Sequence, residues 1–221
     1  MVEGGGGNLD HLDLSPNRWV NTGEIPNDNI DNDGNGYVDD YNGWNFATNN
    51  HQVNHDSHGT HVAGIIGADG NNNIGVAGVT WDVNLMSLDV FNTNETVSDS
   101  LYWEAVNYAV NNNAKVINMS LGGTVNMSYQ EYKSLNPEKD ALARQVLQNA
   151  VNNGCTVIIA AGNNSKGFDN NWTEMENRRS VTFNNLERGN YVFKVTGSNN
   201  DNLWSETSSL SLSFVPHPLK S

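Results

Sequence analysis

Asp56-Ser57-His58-Gly59-Thr60-His61-Val62-Ala63-Gly64 is the stretch whose reading decides this chain. Asp and Ser cap helix N-termini, because a short side-chain oxygen accepts from the free N–H groups of the first turn. The small residues that follow allow a helix to pack closely behind the ring of His58 while one ring face stays open. A histidine held in that way is placed as a general base must be. Two other readings compete with this one. An isolated pair such as His58 and His61 can simply cap or pack. His51, His55, Asp56, His58 and His61 also crowd one region, as a metal site would, although a zinc cage wants a better defined third ligand.

Working outward, apolar runs at residues 83–90, 116–121 and 155–161 read as buried strands. Ser98 can cap a helix with apolar positions at Leu101, Ala105, Tyr108 and Ala109. A second helix begins where Asn136 precedes Pro137, carries Glu138 and Asp140 in its first turn, and closes at Gly154. Strand, helix, strand, helix, strand with short connections implies right-handed crossovers. The fold class is therefore α/β, a parallel sheet with helices on both faces.

After Gly167 the texture changes. Short alternating runs at 180–183, 191–196 and 209–215 lie between turn clusters such as Glu187-Arg188-Gly189-Asn190. They read as a small, partial antiparallel β-sandwich module, marginal on its own at roughly 50 residues. The expected division is residues 1–165 and 166–221.

The chain has 221 residues and a formal net charge of −14, which makes nucleic acid an unsuitable partner and favours cations. Its single cysteine, Cys155, excludes an internal disulfide and lies in an apolar run, as a buried inert thiol does. No apolar run approaches the roughly 18 residues of a membrane span. The opening Met-Val-Glu-Gly-Gly-Gly-Gly is no secretion signal, and its glycine run suggests a replaced or lost upstream sequence.

In the acidic loop Asp31-Asn32-Asp33-Gly34-Asn35-Gly36-Tyr37-Val38-Asp39-Asp40, oxygen donors alternate and Gly36 stands sixth, where a calcium loop turns sharply. Side chains of Asp31, Asp33 and Asn35, the carbonyl of Tyr37, and Asp39 or Asp40 would hold structural calcium. Asn42 stands at the twelfth position, where the usual bidentate Glu is missing. A solvated flexible loop is the alternative.

The histidine stretch does not stand alone. Arg18-Trp19-Val20-Asn21-Thr22-Gly23-Glu24-Ile25-Pro26, Gly75-Val76-Ala77-Gly78-Val79, Val116-Ile117-Asn118-Met119-Ser120-Leu121-Gly122-Gly123 and Ala160-Ala161-Gly162-Asn163 occur in order with it. Residues 8–163 thereby resemble the subtilisin-like serine proteases. The resemblance implies a partial subtilisin-like sheet and a serine endopeptidase acting by acyl transfer on extended polypeptide. It makes His58 the general base, His61 a structural histidine and Asn163 the oxyanion donor. Ser120, Leu121 and Gly122 become the strand edge that pairs with substrate. It also implies an extracellular or periplasmic protein, and calcium as a stabiliser.

Two departures follow from the same comparison. His11-Leu12-Asp13-Leu14 fits the family's His-x-Asp-Leu, and counting back puts Gly4 where the catalytic Asp belongs. The strand before it is expected to be absent. The nucleophile motif Gly-Thr-Ser-Met-Ala does not occur, and Ser165, Ser180 and Ser198 lie in other contexts. The expectation is a chain that does not hydrolyse peptides. The alternatives are a non-catalytic peptide- or calcium-binding protein, or part of an extracytoplasmic sensor. The last rests on residues 167–221. There Trp172, Phe183, Tyr191, Phe193 and Trp204, with their turns, resemble the three-Tyr β-sandwich domain of hybrid two-component sensors.

Overall fold

The structure, a computed structural model, describes residues 1–91, 99–122, 129–160, 189–195 and 208–214. Five short strands form one sheet: β1 (Val2–Glu3), β2 (Gly43–Asn45), β3 (Ser87–Asp89), β4 (Val116–Met119) and β5 (Thr156–Ile159), in the order β2-β3-β1-β4-β5. β1 pairs in parallel with both β3 and β4, and β2 with β3. Helices α1 (Ser57–Gly67), α2 (Asp99–Asn111), α3 (Tyr129–Leu135) and α4 (Pro137–Asn152) fill the connections. The parallel α/β fold read from the sequence is the fold observed.

Two apolar clusters hold the layers together. One gathers Val2, Leu88, Val90, Ile117 and Met119 of the sheet region with Ala105, Val106 and Ala109 of α2 and Val146 and Ala150 of α4. The other packs Ala63 of α1 with Leu9, Leu14, Ala68 and Leu85. Cys155 is buried in the first cluster, and burial pushes its thiol pKa up, in keeping with an inert role.

The expected absence of a strand before the Asp position is corrected here. β1 exists and lies in the middle of the sheet, between β3 and β4. Two residues are too few to show a period of two, so sequence alternation could not reveal it. β2 was hidden by the same brevity, and α3 was not foreseen either. Pro137 opens α4 as expected, and Gly154 closes it with φ +71°. Asn136 makes no side-chain cap; its Nδ2 donates to the carbonyl of Tyr132 instead. Ser98 lies outside the described residues. Among the described residues β5 stands at one end of the sheet, and Val116 of β4 is more than half exposed.

The chain divides into two units, Met1–Leu121 with Asn126–Ile158, and Gly122–Val125 with Ile159–Ser221. In the second, β6 (Gly189–Val195) and β7 (Ser208–Phe214) pair antiparallel, from Gly189 opposite Phe214 to Val195 opposite Ser208. They fall where runs 191–196 and 209–215 were expected to be strands. Run 180–183 lies outside the described residues. Among the described residues, no helix is long and apolar enough to cross a membrane.

Candidate active site

The site is built where the glycine run meets the start of α1. Asp56, in an extended conformation, caps the helix: its Oδ2 accepts from the backbone N–H of His58 at 2.7 Å and of Gly59 at 3.4 Å. Thr60 ties the same turn to the chain opposite, donating its hydroxyl to the Asp56 carbonyl at 2.6 Å and accepting from the Asn8 N–H at 2.9 Å. The first turn is thus fixed before any contact of the His58 ring is considered.

Backbone meets backbone behind it. A Cβ on Gly59 would lie 1.8 Å from the carbonyl oxygen of Gly6, and one on Gly6, at φ +61°, would lie 2.4 Å from Cγ1 of Val53. Only glycine allows that approach and that dihedral at once. The glycine run, which the sequence suggested was the scar of a replaced segment, is packed against the helix that carries His58.

Glu3, fully buried on β1, places a carboxylate beside His58 that the sequence reading did not single out. Its Oε1 accepts from the Ser120 backbone N–H at 3.1 Å and from Asn118 Nδ2 at 3.2 Å. Its Oε2 is buried without a hydrogen-bond donor and stands 3.4 Å from Nδ1 of His58, whose side chain is 58% exposed. Burial pushes the Glu3 carboxyl pKa up, while the Ser120 N–H and the charge of His58 act in the opposite direction. At Gly4, the position counted for the catalytic Asp, an added Cβ would lie 1.8 Å from the Phe91 ring. No side chain fits there while Phe91 stays.

Asp89, opposite Glu3 in the β1–β3 register, anchors the surroundings. Oδ1 accepts from the N–H groups of Gly5 at 2.9 Å and Phe91 at 3.1 Å; Oδ2 accepts from Nδ2 of Asn45 at 3.0 Å and of Asn54 at 2.7 Å. Burial raises its pKa, against those hydrogen bonds. One carboxylate therefore joins the glycine run, β2, β3 and the segment leading into α1.

Of the other expected site residues, Ser120 directs its N–H at Glu3 and its Oγ accepts from Asn118 Nδ2 at 2.8 Å. Leu121 packs partly against the main core. At Gly122 an added Cβ would meet nothing within 4 Å. Asn163 lies outside the described residues. His55 and His61 are exposed. Among the described residues, the histidine cluster forms no group of three metal-ligand atoms.

The acidic loop does form one: carboxylate oxygens of Glu24, Asp31 and Asp33 lie within 4.8 Å of one another. Glu24 was missed in the sequence because it precedes the loop by seven residues. Asp39 and Asp40 are both buried and, like Glu24, already accept hydrogen bonds. Asp39 accepts from the N–H groups of Asp28 and Asn29, each at 3.1 Å. Asp40 accepts from Asn21 Nδ2 at 2.7 Å, from Asn35 Nδ2 at 2.9 Å and from the Tyr108 hydroxyl at 2.5 Å. Burial, and then the bond to Asp40, push the Tyr108 pKa far up, so it remains a donor. Tyr37 packs edge-on to Trp44 at 5.1 Å and to Tyr108 at 4.9 Å.

Comparison with known proteins bears on the family and the fold. The subtilase family model matches residues 6–220, including the stretch that resembles a three-Tyr domain. A subtilisin-like protease 1 of Plasmodium berghei is 34% identical over 127 residues, 57% of this chain and 20% of that protein. Thermitase of Thermoactinomyces vulgaris is 34% identical over 122 residues, 55% of this chain and 39% of its own length. The crystal structure of the epidermin leader peptide processing serine protease of Staphylococcus aureus shares the fold. It has TM-score 0.54 and 19% identity, and the match covers 73% of this chain and 36% of that one. The chain thus spans between about a fifth and two fifths of these relatives. With the fold shared and the family model matching most of the sequence, one assignment follows: the chain belongs to the subtilase family.

Proposed function

We propose that this chain carries the general-base half of a serine endopeptidase site and engages extended polypeptide without cutting it. The observation that supports this is His58, fixed by the Asp56 cap with its Nδ1 beside a buried carboxylate. A base so oriented accepts a hydroxyl proton at Nε2 and returns it to a leaving amine. The backbone at Ser120, Leu121 and Gly122 offers an edge for main-chain pairing with substrate, and Asn163 is the proposed oxyanion donor. No serine of this chain stands in a Gly-Thr-Ser-Met-Ala context. In subtilisin, loss of the nucleophile costs roughly a millionfold in turnover.

Two measurements on the full chain test the proposal. A fluorophosphonate probe should leave the protein unlabelled, and an extended peptide titrated into it should shift the amide resonances of residues 120–122. A labelled serine refutes the non-cutting half of the proposal; unmoved resonances refute the peptide-binding half.

Subtilases commonly bind calcium. In this chain the fitting group is Glu24, Asp31 and Asp33, whose hard oxygen ligands lie close together. We place structural calcium there, with Asn35 and the Tyr37 carbonyl as further ligands. The ion neutralises clustered carboxylates and fixes the loop. Family members are generally secreted, and we propose an extracellular or periplasmic location here. For residues 166–221 we propose a separate β unit. The β6–β7 pair favours the three-Tyr resemblance, whereas the subtilase match reaching residue 220 favours a continuation of the peptidase domain.

A further inference from the structure

We infer that Glu3, one residue before the position where the family motif places its Asp, is the positioning residue for His58. It holds the imidazole in the Nδ1–H tautomer and so leaves Nε2 as the proton acceptor. The inference rests on the reading of His58 as the base.

The carboxyl group is not free to turn. Oε1 is fixed by two donors, the Ser120 N–H and Asn118 Nδ2, and this leaves Oε2 on the side of His58. Oε2 is buried and has no other hydrogen-bond donor. A buried acceptor without a donor is costly, and among the described residues a proton on Nδ1 of His58, 3.4 Å away, is placed to relieve it. The ring lies half in solvent, so the opposite nitrogen meets water or substrate. Reach explains the change of residue type. Phe91 fills the space above Gly4, so a carboxylate cannot start from that position. Glu3 starts one residue earlier and has one more methylene with which to reach the ring.

Glutamine at position 3 gives the test its direction. The Ser120 N–H and Asn118 Nδ2 would hold the amide oxygen where Oε1 is now. The amide NH2 then faces His58 as a donor and demands a bare Nδ1, the wrong tautomer for a base at Nε2. The experiment is 15N imidazole NMR on the full chain, at a pH where His58 is neutral and Glu3 ionised. In the unaltered protein His58 should show Nδ1–H as its major tautomer, against the usual preference of free imidazole for Nε2–H. In Glu3→Gln that signal should be lost and replaced by Nε2–H, with the Ser120 and Asn118 backbone resonances unmoved. A merely structural Glu3 would leave the tautomer unchanged in the variant, and that result overturns the inference. If the variant fails to fold, the unaltered protein still decides, because a majority Nε2–H there is equally fatal. The tautomer is read in the free protein. An inference that fails is therefore distinguishable from a peptide-binding proposal that fails, since the latter depends only on the titration above.

Discussion

Gly59 and Gly64 lie five residues apart on the same helix, and the structure predicts opposite outcomes for the same substitution at each. In α1, replacing glycine by alanine gains about 0.8–1 kcal/mol of helix propensity wherever there is room for the methyl group. At Gly64 there is room: the new Cβ would meet only Cγ2 of Val76, at 3.5 Å, an ordinary contact. At Gly59 the new Cβ would lie 1.8 Å from the Gly6 carbonyl oxygen and 2.7 Å from the Gly6 carbonyl carbon. Both are backbone atoms, so no side-chain rotation relieves the clash. The helix or the glycine run must move by more than an ångström, at an overpacking cost of about 1–3 kcal/mol, occasionally more. Gly64→Ala should therefore stabilise by up to about 1 kcal/mol, and Gly59→Ala, whose deep clash with backbone puts it at the upper end of that cost, should destabilise by about 2 kcal/mol net. In a chain of this size each kcal/mol moves the melting midpoint by about 2–4 °C. Urea titration followed by tryptophan fluorescence measures both. A Gly59→Ala protein as stable as its parent would refute the close packing of the glycine run on α1, and with it the placement of Glu3 beside His58.

Three further outcomes follow from the same structure. Tyr108→Phe removes the hydroxyl donor of fully buried Asp40, leaving only Asn21 and Asn35 to satisfy it, and should destabilise by about 1.5–3 kcal/mol; a loss within about 0.5 kcal/mol in urea titration contradicts that network. Burial raises the Glu3 pKa above its ordinary 4.5, so the folded chain binds that proton more tightly than the unfolded one. Its contribution is therefore lost as pH climbs from about 4.5 through the raised value. Glu3→Gln removes this term, and its stability relative to the parent should rise across that window; a pH-independent difference contradicts the burial. Calcium should raise the melting temperature of the parent, by about 2.7 kcal/mol of stabilisation at a hundredfold excess over Kd, and Glu24→Gln should diminish the shift. An unshifted parent in differential scanning calorimetry rules out the site.

What could be read in the sequence, and what could not, divides along a physical line. The cap of α1 was legible because Asp56 acts on N–H groups two and three residues away, a distance that sequence order preserves. The same holds for Pro137 at the start of α4 and for the apolar runs that became β3, β4 and β5. Glu24 was not legible as a partner of Asp31 and Asp33, because a fold in the loop, held by its carboxylate on the N–H groups of Asn32, Asp33 and Asp39, brings it there. Nor was β1, whose two residues carry no period and take their strand character from the neighbours on either side.

On the inference that Glu3 positions His58, the carboxylate stands one residue before the position that motif counting gives. Register counting assumes that a function stays on the same residue number, but the constraint is on where an oxygen atom lies. That point is set by the Ser120 N–H at the end of β4 and by the ring of His58 at the start of α1, segments more than 50 residues from position 3 in sequence. Any residue whose side chain reaches that point can serve there. With Phe91 against Gly4, the route from position 4 is closed. The Asp89 carboxylate holds the N–H groups of both Gly5 and Phe91, so it fixes the blocking ring and the glycine turn together. A long carboxylate from position 3, a ring over position 4 and glycines beyond it are thus one solution to one steric problem. Replacing Gly4 by Asp, as the motif alone would advise, sets a second carboxylate against the Phe91 ring and leaves Glu3 in place. The expected result is a less stable protein with no better oriented His58.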